Sequence, residues 1–246
     1  IIVGGGGCGK TTLIKKVLQP LFDLYFGSRG TVLQAQSNKA ARVIGGKTIH
    51  SSAGLLAHSS LRTSSLSLQQ GSAQQKKLEA IHVPAGAEVF DEWSQIPAAL
   101  FHEHMFRIMD ARRTQYKLRQ SDYHTPDNIC GRISVLLLAG DHLQLPPVPK
   151  TTSLLAALEG TSQEHQAGAG MFCNIEHVYV MKTMMRFTDP ILVSILEKMR
   201  VPRNAEGQGA KLSAEEWQAM VATKYSSASP PPADWYLSLI HISEPT

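Results

Sequence analysis

The 246 residues include only three cysteines, Cys8, Cys130 and Cys173, and no C-x-x-C pair. That spacing excludes a disulfide framework and a four-cysteine zinc cluster, and it suits a reducing compartment. No run of about 18 apolar residues occurs, so no segment reads as a membrane-spanning helix. The opening Ile1-Ile2-Val3-Gly4 lacks the basic stretch and apolar core of a secretory signal. It also lacks a Met, and three residues make a meagre first strand before a glycine run, so the expectation is a chain cut on its N-terminal side. There is no internal repeat. Charge is modest at 18%, with Lys and Arg exceeding Asp and Glu by 24 to 20, a balance of +4 that leans weakly towards a polyanionic partner. What is present is a 43% hydrophobic content, enough for one α/β domain, or for one domain and part of a second.

Along the chain, short apolar runs alternate with amphipathic ones. Residues 1–3, 31–36, 87–90, 134–139 and 178–180 read as strands; residues 11–18, 38–44, 97–109 and 190–199 read as helices. Pro20 is expected to end the first helix, and Gly45-Gly46 the second. Ser213-Ala214-Glu215-Glu216 is a capping box opening a last helix. Two polar stretches, near residues 59–77 and 112–132, read as insertions, and the basic residues from Arg112 to Arg119 as a solvated face. Alternating strands and helices predict a parallel sheet covered on both sides.

Three strings carry chemistry. Gly4-x-x-x-x-Gly9-Lys10-Thr11 is a complete P-loop between a strand and a helix. Gly4, Gly7, Cys8, Gly9, Lys10, Thr11 and Thr12 are the candidate nucleotide contacts. Gly-rich backbone turns N–H groups towards phosphates, Lys10 reaches the β- and γ-phosphates, and Thr11 binds Mg²⁺. Cys8 sits inside this anion-binding loop, where a thiolate is favoured; alternatively it is a small residue filling a tight turn. Asp91-Glu92 follows a strand, where Asp91 would hold Mg²⁺ with Thr11 and Glu92 would activate the attacking water. Glu88, inside the same strand, departs from an apolar run. The third string runs from Gly140 to Val148, GDHLQLPPV; its Gln144 is placed to sense a γ-phosphate at the end of a parallel strand.

Together these strings resemble the PIF (petite integration frequency) family of ATP-dependent DNA helicases, in the RecD-like branch of helicase superfamily one. The resemblance runs from Ile1 to about Arg203. Gly46-Lys47-Thr48-Ile49-His50-Ser51 is similar to the family's G-x-T-I-H-S signature along single-stranded DNA, and Ala35 to Ala41 to the motif before it. Asp91 to Gln95 matches D-E-x-S-M with Gln for Met, and the GDHLQLPPV string matches at every fixed position. Met185-Arg186-Phe187 resembles the motif whose arginine reaches the γ-phosphate, with Phe187 where the family has Gln.

The resemblance implies a RecA-like P-loop fold truncated at both ends, ATP and Mg²⁺ as cofactors, and single-stranded DNA and duplex junctions as partners. It also implies a monomer away from any membrane, five-prime to three-prime movement, and work in repair, recombination or telomere maintenance in the nucleus or mitochondrion. Lys10, Asp91, Glu92, Gln144 and Arg186 become the catalytic set, and Lys39, Thr48, His50 and Ser51 the DNA contacts. For Lys39 the alternative is a solvated helix residue, and for His50 a turn cap. Trp93 would stack on a base or pack beside the strand end, while His102 and His104, two apart on a helix, do not share a face and read as structural. Residues 1–180 would form the first motor domain and 181–236 the start of a second. The final ten, 237–246, match a translated sequencing adapter and are set aside. The rivals are another P-loop ATPase, such as a nucleotide kinase, and an inactive mobile-element remnant that binds DNA.

Overall fold

Strands buried on both faces carry apolar residues almost without interruption, and β4 (Ala87–Asp91) and β5 (Val135–Gly140) have that character. In the computed structural model, which describes residues 1–55, 71–119, 130–156, 162–201 and 209–222, they lie at the centre of a six-stranded sheet. The others are β1 (Ile2–Gly4), β2 (Thr31–Ala35), β3 (Lys47–Thr48) and β6 (Tyr179–Met181). The order is β3-β2-β4-β5-β1-β6 and every pairing is parallel. Ala35, Asp91 and Ala139 are level in the register, so the strands' C-terminal ends form one edge.

Alternation along the strands divides the core. Ile2, Leu33, Ala35, Val89 and Ala139 face one layer with Ile14, Ala41 and Ile44. Phe90 and Leu138 face the other, against Phe101, Met105, Ile108 and Phe172.

The first helix does not end at Pro20. It runs as α1 (Lys10–Leu13), a π turn (Ile14–Leu18) and α2 (Gln19–Phe26), with Pro20 in the first turn of α2. A proline ring collides with the carbonyl four residues back; within the π turn the Gln19 N–H reaches Ile14 instead, and this wider register lets the chain stay helical through Pro20. Next come α3 (Asn38–Ile44), α4 (Ile49–Ser52) and α5 (Ala73–His82, capped by the Ser72 hydroxyl), so the end of the first expected insertion is helix. Residues 56–70 of that region lie outside the described residues.

The helix read as 97–109 extends as α6 (Ala98–Tyr116), which corrects the start of the second insertion. Arg112 is no solvated residue: it is 2% exposed. Its guanidinium donates to the carbonyls of His82 (2.6 Å), Ala85 (2.7 Å) and Gly131 (2.7 Å) and lies 4.2 Å from the Tyr116 ring centre. Residues 120–129 lie outside the described residues. A further helix, α7 (Gln163–Cys173), was not expected from the sequence. A Cβ on Gly168 would stand 1.9 Å from the Ala98 carbonyl, so this glycine lets α7 touch α6.

The chain divides into two compact units, Ile1–Arg186 and Phe187–Thr246. In the second, α8 (Pro190–Arg200) and α9 (Ala214–Ala222) meet through Glu216, which accepts from Lys198 (2.7 Å) and Ser194 (2.6 Å). The capping box forms in both directions, Glu216 N–H to the Ser213 hydroxyl and Ser213 N–H to the Glu216 carboxylate. The adapter-like residues 237–246 lie outside the described residues. Among the described residues no helix is long and apolar enough to cross a membrane.

Candidate nucleotide and nucleic-acid site

Between β1 and α1 the loop turns through Gly7 (φ +90°) and Gly9 (φ +88°), a backbone that L side chains rarely adopt. The Lys10 ammonium, 7% exposed, bridges the Gly4 carbonyl at 2.8 Å and the Gly5 carbonyl at 3.1 Å. Cys8 is buried within the loop, whereas Thr12 is exposed. Gly7 is also a point of close approach. A Cβ there would lie 2.8 Å from Met184 Sδ and 3.0 Å from Arg186 Cβ, and the Met185 N–H donates to the Gly7 carbonyl at 3.0 Å. Arg186 is thus pinned beside the P-loop.

Two strands away, β4 ends at the acidic pair. The Thr11 hydroxyl donates to Asp91 Oδ2 at 3.2 Å, and the Glu92 N–H to Asp91 Oδ1 at 3.0 Å. Burial pushes the Asp91 carboxyl above its ordinary range, opposed by the Glu92 N–H, the Thr11 hydroxyl and the Lys10 charge. Glu92 holds a left-handed backbone (φ 55°, ψ 43°), a strained conformation for this residue. Burial and the adjacent Asp91 charge raise its pKa, with Lys10 opposing and Asp141 adding to the rise, and its buried Oε2 has no hydrogen-bond partner. Asp141, at the end of β5, is the residue sequence reasoning did not single out; its only signal was its place in the GDHLQLPPV string.

Gln144 stands in the turn after Asp141, its N–H on the Asp141 carbonyl at 3.0 Å, and lines a cavity of about 370 Å³ with Trp93, Ser94 and Pro146. Gln144 thus stands at this cavity rather than among the P-loop groups. Trp93 packs on Phe172 with ring centres 4.8 Å apart and is 3% exposed, a core residue.

The DNA candidates share the same edge of the sheet. Lys39 is exposed on α3, whose N-cap is Ser37. Thr48 ends β3 and caps α4, its hydroxyl accepting from the Ser51 N–H at 3.2 Å. Ser51 is exposed; His50 is half-buried, and burial lowers its pKa. Thr11, Asp91 and Glu92 therefore gather around Lys10 with Arg186 close by, and Thr48, His50 and Ser51 form a neighbouring cluster. Also unforeseen was a buried polar group of Gln34, His82 and Glu88; Glu88 inside an apolar strand was its one sequence signal.

The chain is similar to known proteins in both sequence and fold. The model of the PIF1-like helicase family matches residues 1–175. The chain is 28% identical over 199 residues to the ATP-dependent DNA helicase PIF1 of Saccharomyces cerevisiae (strain YJM789), covering 80% of this chain and 20% of that protein. It superposes on the Pif1 helicase of Candida albicans with a TM-score of 0.60 at 19% identity, covering 94% of this chain and 45% of the other. For the Bacteroides Pif1 helicase in complex with ADP-AlF3 and single-stranded DNA the TM-score is 0.58 at 19% identity, over 92% of this chain and 46% of that one. The chain thus spans under half of the solved relatives and a fifth of the curated one. The fold is RecA-like α/β, and the chain belongs to the PIF1-like helicase family.

Proposed function

We propose that this chain is the nucleotide-binding part of an ATP-dependent DNA helicase, a motor that couples ATP hydrolysis to movement along single-stranded DNA and to duplex unwinding. The observation that carries the reading is the meeting of Lys10, Thr11, Asp91 and Glu92 at one end of the parallel sheet, with Arg186 held against Gly7.

The residues fit ATP and Mg²⁺. The Thr11 hydroxyl and the Asp91 carboxylate are hard oxygens 3.2 Å apart, suited to a cation that keeps its other positions for water and phosphate. When bound, Mg²⁺ neutralises charge on the phosphate oxygens. Lys10 exchanges two loop carbonyls for phosphate oxygens. Glu92, with its raised pKa and unpaired oxygen, orients the attacking water and accepts its proton. Arg186 stabilises charge on the transferring phosphoryl group; the family resemblance alone assigns Gln144, in the turn after Asp141, to sensing that group. Lys39, Thr48, His50 and Ser51 contact the phosphates of the single strand. All of these groups lie in one chain, so nucleotide binding is proposed of a monomer. The family resemblance extends the proposal to five-prime to three-prime movement and to repair, recombination or telomere maintenance in the nucleus or mitochondrion.

The test is ATP turnover with and without oligothymidylate. The expected outcome is strong stimulation by the single strand, and a loss of about 10²–10³-fold in Lys10→Ala with DNA binding largely spared. Binding should weaken with salt, with a log–log slope of about −0.7 per phosphate contacted. Equal turnover with and without DNA overturns the helicase reading in favour of a DNA-independent ATPase.

A further inference from the structure

Beneath α4 lies a buried polar group that nucleotide chemistry does not use. Glu88 is fully enclosed in β4, three residues before Asp91 and on the opposite face of the strand. One of its oxygens accepts from the side-chain amide of Gln34 on β2. The other lies 2.6 Å from Nδ1 of His82, the last residue of α5. The second ring nitrogen, Nε2, is 3.1 Å from the Ser52 carbonyl, at the end of α4. His82 and Ser52 are as enclosed as Glu88.

Both neighbours of the ring are acceptors. A carbonyl offers only lone pairs, so Nε2 carries a hydrogen, and an ionised carboxylate demands one on Nδ1 as well. The ring is thus doubly protonated and its charge is balanced by Glu88. Removing one proton sets a lone pair against a lone pair at one of the two contacts, whichever tautomer remains.

The surroundings single out this pair. From α6, Arg112 donates to the backbone carbonyl of His82, and His104 meets the His82 ring edge-on at 5.7 Å. His104 is held well below the usual histidine range by burial, then by the charges of His82 and of His50 on α4, so it is neutral. Burial, then Glu88, pushes the Cys130 thiol far up, so it too is neutral.

We infer that His82 is a positioning residue for single-stranded DNA: its doubly protonated ring, held between Glu88 and the Ser52 carbonyl, anchors the Thr48–Ser52 turn to the strand that ends in Asp91. The inference rests on the helicase reading above. The turn closes on itself through Thr48, which accepts from the Ser51 N–H at 3.2 Å and whose carbonyl accepts from the Ser52 hydroxyl at 3.1 Å, and through the Ala53 and Leu55 N–H groups on the Ile49 and His50 carbonyls at 2.9 and 2.8 Å. The Ser52 carbonyl is left to His82. The residues proposed to meet DNA therefore stand on a proton. Burial and, less strongly, the Arg112 charge lower the pKa of His82, but the charge and hydrogen bond of Glu88 and the Ser52 carbonyl outweigh them and raise it above 6.5. The anchor is complete below 6.5 and is lost as pH rises through the raised value.

Glu88→Gln separates the proton from the geometry. The new amide nitrogen donates to Nδ1 of a neutral ring while its oxygen still accepts from Gln34. The experiment measures the affinity of wild type and E88Q for a short fluorescein-labelled oligothymidylate, from pH 6.5 upward. Histidine ¹⁵N spectra and the affinity for a fluorescent ATP analogue are recorded on the same samples. In wild type both His82 nitrogens should be protonated at the low end, and DNA affinity should fall about tenfold through the titration, the worth of one charge-assisted hydrogen bond. In E88Q the ring should be neutral and that fall should vanish. His82→Phe should weaken DNA binding about tenfold at the low end with nucleotide affinity unchanged. Equal pH slopes in wild type and E88Q, a singly protonated ring in wild type, or a parallel loss of nucleotide affinity overturns the inference alone. No DNA binding by wild type at any pH overturns the helicase reading and the inference together.

Discussion

Lys10 and Arg112 are both buried cations, and the molecule uses them in opposite ways. The Lys10 ammonium rests on two loop carbonyls that, on the proposed function, a phosphate would displace. Arg112 serves as a permanent brace, joining the end of α5, the start of β4 and the segment before β5 through their carbonyls. Arg112→Ala leaves those carbonyls buried and unpaired, and stability should fall by about 3 kcal/mol, read as a lower denaturant midpoint at unchanged slope. Arg112→Lys should not rescue it, because a single ammonium cannot span the fork. Glu92 gives a pH signature. As the proposed base it would work ionised, and burial beside Asp91 raises its pKa, so turnover should fall on the acid side at a pH above the ordinary 4.5 of a glutamate. Asp141→Asn removes one of the raising charges and should move that limb to lower pH; an unmoved limb assigns it to another group.

At the level of elements, the sequence was most legible where one local rule decides. The P-loop, the acidic pair after β4 and the capping box before α9 each depend on a short run of residues. It was least legible where a residue answers to a distant partner. Pro20 stays helical because the π turn before it shifts the hydrogen-bond register, and position 168 is a glycine inside a helix because the Ala98 carbonyl leaves no room for a Cβ. Arg112 is polar inside the core because carbonyls from three segments converge on it. His82 gave no signal, since nothing local tells of Glu88 and Ser52 as its partners. In the second unit, hydrogen bonds from Lys198, Ser194 and the Ser213 N–H hold Glu216 at about 2, against an ordinary 4.5. A depressed carboxyl stabilises above 4.5, and that support is lost as pH falls towards about 2. A ¹³C titration of the Glu216 carboxyl should find that midpoint, and Lys198→Ala should raise it. A Glu216 midpoint at its ordinary value would show that α8 and α9 are not joined this way in solution.

For the molecule as a whole, one edge of one sheet collects the chemistry. The first unit, Ile1–Arg186, contains the P-loop, the ends of β4 and β5, the α4 turn and the Arg186 segment. A ligand that bridges the P-loop and Asp91 therefore stabilises this unit by mass action. ATP with Mg²⁺ at about 100 times its Kd should add about 2.7 kcal/mol to that unit, seen as a raised Tm. Chelation of the metal by EDTA should remove most of this gain, because Asp91 and the phosphates then face each other without a cation between them. A Tm indifferent to EDTA would mean that Thr11 and Asp91 do not share a metal.

The three thiols lie at three depths, and this makes them clocks. Cys173 is exposed, Cys8 is 4% exposed within the phosphate loop, and Cys130 is 1% exposed against the central helix layer. Under a pulse of alkylating reagent, Cys173 should react at once. Cys8 should wait for the loop to breathe. Cys130 should wait for the core itself to open, its thiol held protonated by burial meanwhile. Nucleotide should slow the second clock and leave the first untouched. Mass spectrometry of quenched samples would then time local and global opening in one tube, and Cys8 reacting as fast as Cys173 would show that the loop stands open before any ligand arrives.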